Sequence, residues 1–77
     1  MNYNLWLNKA KTKIESLPKG TVFVLKNLFF GSDWEKLQVG ERLTLGKLFK
    51  NAVLDLEIEN VAFVGKAENN SAQYKII

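Results

Sequence analysis

The sequence predicts an α+β domain of three helices and a small antiparallel sheet. Three observations predict it. Apolar residues recur at helical spacing near the N-terminus and again, over a longer stretch, at residues 44–56. A short β-branched and aromatic run, Thr21-Val22-Phe23-Val24, lies between them. Two further strand-like runs close the chain, separated by turn-forming residues.

The first helix is expected over about residues 3–16. Tyr3, Leu7, Ala10, Ile14 and Leu17 make one apolar stripe. Lys9, Lys11 and Lys13 lie off it, and Lys9 and Lys13 share a face as either a solvated or an anion-binding pair. Leu17-Pro18-Lys19-Gly20 ends the helix, because Pro18 lacks a backbone donor and disfavours helical geometry at Leu17. Pro second and Gly fourth suit a type I turn. After the strand at 21–24, residues 25–30 read as a short helix that Gly31 stops. Ser32 followed by Glu35 predicts a capping box and a turn of helix to about Leu37. Gly40 is expected to break the chain again.

The clearest predicted element is the helix at 44–56. Thr44 caps it, and Leu45, Leu48, Phe49, Ala52, Val53 and Leu56 form its buried stripe. Residues 61–64 and 73–77 then form a hairpin around a turn at 68–71; Val61 and Phe63 share one face, which Tyr74 and Ile76 can match across the ladder. Asn69-Asn70-Ser71 fits a glycosylation sequon but reads better as part of that turn. The strand at 21–24 joins the hairpin as a third strand. This order is that of a winged helix-turn-helix, with the helix from Thr44 in the recognition position and the loop near Glu68 as the wing tip.

Seventy-seven residues make a single winged-helix-like domain, 1–77. A chain of this size buries only roughly 60% of its unfolded surface. There is no cysteine, so neither a disulfide nor a thiolate metal site supplements the core. No apolar run reaches the length of a membrane span, and the N-terminal lysines follow the apolar residues rather than preceding them. The expected location is the cytoplasm, with no membrane partner.

The net charge is +3, unevenly spread. Residues 1–50 hold nine cationic and four anionic side chains, a surplus of +5, and residues 51–77 hold two and four, a deficit of −2. Such asymmetry suits an anionic partner, nucleic acid foremost.

Catalysis finds little support. No histidine is present to serve as general base or metal ligand, and Ser16, Ser32 and Ser71 have no activating neighbour. Asp55, Glu57 and Glu59 alternate and could share one face of an extended segment, yet no phosphate-binding loop accompanies them. The expectation is a protein that is not an enzyme and needs no cofactor or metal.

"LPKG" at 17–20, "FVLKNLF" at 23–29, Trp34 and "GERLTLGKLF" at 40–49 resemble a small domain-of-unknown-function family of Gram-positive mobile elements. That family includes the winged-helix single-stranded-DNA-binding protein of staphylococcal cassette chromosome elements. The likeness covers about half of the chain and rests on Pro18, Gly20, Phe23, Leu28, Trp34, Gly40, Arg42, Leu45, Gly46 and Phe49. It implies a winged-helix fold used for single strands, a hydrophobic pocket unusual in such folds, and work in replication or transfer of a mobile element alongside the proteins of those processes.

The nucleic-acid-binding candidates are Lys47, Lys50 and Asn51 on the outer face of the 44–56 helix, with Lys36, Arg42 and Lys66 around it. Lys47, in the first turn of that helix, would oppose the helix dipole and so suit a phosphate. Arg42 could equally fix its loop through Glu41 or Glu35. Phe23, Phe29 and Phe49 are expected in the core. Phe30 and Trp34 are expected to line a partly open aromatic pocket, the alternative being that Trp34 is the main core plug, with Trp6 and Tyr74 as further candidates for base stacking. The leading expectation is a non-enzymatic binder of single-stranded DNA. The alternatives are a sequence-specific duplex-binding regulator and a protein-interaction module built on the aromatic pocket.

Overall fold

The computed structural model describes residues 2–68 and 71–77. The elements run α1 (Tyr3–Glu15), β1 (Val22–Val24), a 3-10 turn (Leu25–Leu28), α2 (Gly31–Glu35), α3 (Val39–Leu54), β2 (Val61–Lys66) and β3 (Ala72–Ile76). Among the described residues, three α-helices thus accompany one three-stranded antiparallel sheet of order β1-β3-β2. No helix among the described residues is long and apolar enough to cross a membrane.

Helix α1 follows its predicted stripe. Asn2 caps it, its side-chain oxygen accepting from the Leu5 N–H at 3.2 Å. Ala10 and Ile14 are buried, and Tyr3, Trp6, Leu7 and Leu17 pack around the core. The turn after it lies one residue later than expected. The Thr21 N–H donates to the Pro18 carbonyl at 3.2 Å, and Gly20 sits third with φ +89°, where a type II turn demands a left-handed residue. The Gly20 N–H then donates to the Ile76 carbonyl at 2.7 Å, tying the turn to β3.

Between β1 and α3 the backbone departs from the expected pattern. The 3-10 turn ends at Leu28, and Phe29 and Phe30 are extended. Gly31 opens α2 instead of stopping a helix, and Ser32 makes no cap; Phe30 holds the cap position without a side-chain bond. Helix α3 begins five residues before Thr44. The Gln38 N–H donates to the Glu41 carboxylate at 3.0 Å, half of a capping box, and this carries the chain through Gly40 as helix.

The hairpin brings the expected strands together and fixes their register. Val61 lies opposite Ile76 and Phe63 opposite Tyr74, while Phe23 of β1 meets Tyr74 from the other side. The strands extend further toward the turn than predicted, and the Ala67 N–H donates to the Ser71 carbonyl at 2.8 Å. Asn69 and Asn70, in the predicted turn and wing tip, lie outside the described residues. A bulge between Phe63 and Gly65, the latter at φ +131°, pushes Val64 outward.

Tyr74 occupies the centre of the core. It is 1% exposed. Phe49 of α3 meets it edge-on at 4.9 Å, Phe23 stacks at 5.8 Å and Phe63 meets it at 5.8 Å. Tyr74 therefore holds α3 to all three strands and does not line an open pocket, as the sequence reading had it. Alternation along a strand sets which face a side chain takes, and here that face is the sealed one. Burial strips water from its hydroxyl and pushes its pKa from 10 up to about 12.

The end of α3 carries strain. The Leu56 N–H donates to the Val53 carbonyl and the Glu57 N–H to the Ala52 carbonyl, a Schellman pattern that requires a left-handed residue at position 56. Leu56 adopts φ +62° and is 77% exposed, so it is no member of the buried stripe. Ile58 turns inward beyond it while Asp55, Glu57 and Glu59 stay exposed, and the described residues hold no acidic cluster fit for a metal ion.

Two predictions follow from this packing and strain. Leu56→Gly relieves a left-handed side chain without losing buried contact, and should raise stability by about 1 kcal/mol, or roughly 4–8 °C in Tm by calorimetry. Tyr74 contributes stability that is fully present below pH 10, where both folded and unfolded forms hold the proton. It is lost as pH rises from 10 through about 12, an effect of about 2–3 kcal/mol. Urea titrations across that window should show the fall, and in Tyr3→Phe protein phenolate absorbance should appear only near pH 12 or with unfolding.

Candidate nucleic-acid interface

The extended backbone at Phe29 and Phe30 decides the local surface. Consecutive side chains of an extended segment point to opposite sides. Phe29 turns inward and is half-buried; Phe30 turns outward and is 78% exposed. Phe29 sits between the two indoles, edge-on to Trp6 with centroids 4.9 Å apart and stacked on Trp34 at 5.9 Å with the planes 13° apart. A cation closes each end of this row. The Lys9 ammonium lies 5.6 Å from the Trp6 ring and the Arg42 guanidinium 5.7 Å from the Trp34 ring. Arg42 also donates from Nε to the Trp34 carbonyl at 3.3 Å, so it clasps α2 to α3. Arg42 thus holds the structure together through Trp34 and not through Glu41 or Glu35, the partners expected from the sequence.

A groove of about 510 Å³ runs beside this row, between α1 and residues 27–33. Leu5, Leu28, Phe29 and Phe30 give it an apolar lining. Lys9 and Lys13, one turn apart on α1, flank one wall, and Asp33 lies on the opposite side. Phe30 is thus where the sequence placed it, on an open apolar surface. Trp34 is not beside it: its ring is stacked on Phe29 and covered by Arg42. Both indoles are half-buried, neither sealed nor free.

The cationic residues expected around α3 do not converge on this groove. Lys47 and Asn51 are exposed on the outer face of α3. Because α3 begins at Val39, Lys47 stands in its third turn, and the expected opposition to the helix dipole, confined to the first turn, does not apply. The Lys50 ammonium lies 4.5 Å over the Phe63 ring and bridges α3 to β2. That outer face also exposes Val39, Leu43 and Leu54, so it is more apolar than a phosphate-binding surface needs. Lys36 is exposed and reaches Asp33 at 4.0 Å, a surface pair of little energetic weight. Lys66 is exposed at the end of β2, in a shallow depression with Glu68 and Gln73.

The sequence model of the family described as "Domain of unknown function (DUF1413)" matches residues 8–75. The chain belongs to the DUF1413 family. No curated protein and no solved structure matches it. The matched span of this DUF1413 chain includes Lys9, Lys13, Phe29, Phe30, Asp33, Trp34 and Arg42, hence the aromatic row apart from Trp6 and most of the groove.

Sequence reasoning found Phe30 but not the company it keeps. Lys9 and Lys13 were legible as one face of α1, without a partner surface. The missed signal was Leu5: it lies off the apolar stripe of α1 and is 50% exposed, which marks a second apolar patch on that helix.

Proposed function

We propose that this protein is a non-enzymatic binder of single-stranded DNA that receives unpaired bases in the groove between α1 and α2. The single observation that carries the reading is an exposed aromatic ring, Phe30, in an apolar groove that Lys9 and Lys13 flank. A base stacks on an aromatic face for roughly 1–3 kcal/mol regardless of its identity. Lys9 and Lys13 leave α1 about 6 Å apart along its axis, a spacing that suits neighbouring phosphates of one strand. Duplex DNA presents its bases already stacked and would have to open to use the same groove.

The resemblance to the single-strand-binding family of mobile elements supports this reading, and suggests work in replication or transfer of such an element. The strand order β1-β3-β2, with α3 just before the β2–β3 hairpin, suits the winged-helix description of that family. The proposed contact differs from the usual winged-helix mode, because it uses α1 and α2 rather than the outer face of α3. One observation favours a second reading. Val39, Leu43 and Leu54 stand 69%, 70% and 58% exposed along α3, which suits a protein-interaction surface better than a duplex-reading one.

Fluorescence anisotropy with labelled oligo-dT tests the first reading. Affinity should fall with salt at a log–log slope of about −0.7 per phosphate contacted, and Lys9→Ala with Lys13→Ala should flatten that slope by about 1.4. Phe30→Ala, which removes an exposed ring and leaves the core intact, should cost roughly 1–3 kcal/mol of binding with an unchanged Tm. Duplex of the same length should bind more weakly. Equal binding by wild type and Phe30→Ala would overturn the assignment of the groove.

A further inference from the structure

Asp33 is out of place in a groove proposed to hold an anionic strand. Its carboxylate lies 41% exposed in the same lining as Lys9, Lys13 and Phe30. Among the described residues its ion pair is with Lys36, at 4.0 Å and on the solvent side, and not with Lys9 or Lys13. A carboxylate left there repels phosphates and weakens a purely electrostatic grip. It is an acceptor only, and gains from a ligand that presents N–H donors.

The backbone places this acceptor close to the stacking ring. Phe30 caps α2 and Asp33 lies three residues on, with the Asp33 N–H donating to the Phe30 carbonyl at 3.1 Å. Phe30 and Asp33 line the same groove. A base stacked on Phe30 therefore presents an edge toward Asp33 while its phosphates face α1. Guanine offers two adjacent donors on its Watson–Crick edge, N1–H and the N2 amino group, which match the two oxygens of a carboxylate. Thymine offers one N–H between two carbonyl oxygens, and those oxygens would face the carboxylate unfavourably.

We infer that Asp33 is a specificity-determining residue which makes the groove prefer guanine in a single strand over thymine. The inference rests on the proposed single-strand reading of the groove. Guanine lacking its 2-amino group, as in inosine, keeps only one of the two bonds and should fall between the two bases.

The test compares three labelled oligo-dT strands at fixed salt, carrying one central dG, one central deoxyinosine, or dT throughout. Wild-type protein should bind the dG strand about fivefold or more tightly than the dT strand, with deoxyinosine intermediate. Asp33→Asn, nearly isosteric and partly exposed, should bind all three within about twofold of one another and no more weakly than wild type binds oligo-dT. Equal affinity of wild-type protein for the three strands would overturn the role of Asp33 while leaving the groove assignment standing. So would a dG preference that survives Asp33→Asn. Binding of none of the strands at low salt would overturn the single-strand reading itself.

Discussion

The fold depends on one buried ring. Tyr74 sits on the central strand and is touched by Phe23, Phe63 and Phe49, one from each neighbouring strand and one from α3. A domain of this size has room for few such anchors, and the largest sealed side chains are Tyr74, Phe49 and Leu45. With α3 fixed against the sheet, its N-terminal end fixes α2, because Arg42 grips the Trp34 carbonyl and covers its ring. Trp34 in turn stacks on Phe29, and Phe29 meets Trp6 of α1. The chain of contacts thus runs from the core outward to the groove that Phe30 lines.

This construction separates two tasks that the sequence reading had merged. The aromatic row Trp6-Phe29-Trp34 is a support, half-buried and capped by cations at both ends. Phe30 is the one ring of the segment left to solvent, and it owes that to an extended backbone just before α2. Its neighbours are the lysines of α1, and the lysines of α3 serve elsewhere. Lys50 covers Phe63, and Lys47 stands among exposed aliphatic side chains. The two surfaces therefore differ in what accompanies their cations, an exposed aromatic ring in the groove and the aliphatic side chains of Val39, Leu43 and Leu54 on the outer face of α3.

Much of the architecture was legible from periodicity. The stripe of α1 and the shared face of Val61, Phe63, Tyr74 and Ile76 could be read because spacing alone determines them, while the register could not. The start of α3 could not. Gln38 is a weak cap and Gly40 looks like a breaker, yet the bond from the Gln38 N–H to Glu41 three residues on was enough to begin the helix there. Leu56 fitted the apolar stripe by number, but the helix ends at Leu54 and the left-handed turn exposes it. Tyr74 was assigned the right face and the wrong depth, since alternation says nothing of what lies above a sheet. For the site, two adjacent phenylalanines announced that one would be exposed. Which lysines would join it depended on how α1 packs against the 3-10 turn and α3, a long-range contact that local pattern does not encode.

The central claim is that single strands enter between α1 and α2, and amide chemical-shift mapping tests it most directly. Titration of labelled protein with a short oligo-dT should perturb the amides of Leu5, Lys9, Lys13, Asn27 and residues 30–33, and leave those of Leu43, Lys47 and Asn51 unmoved. Perturbations confined to the outer face of α3, with the groove silent, would contradict the account.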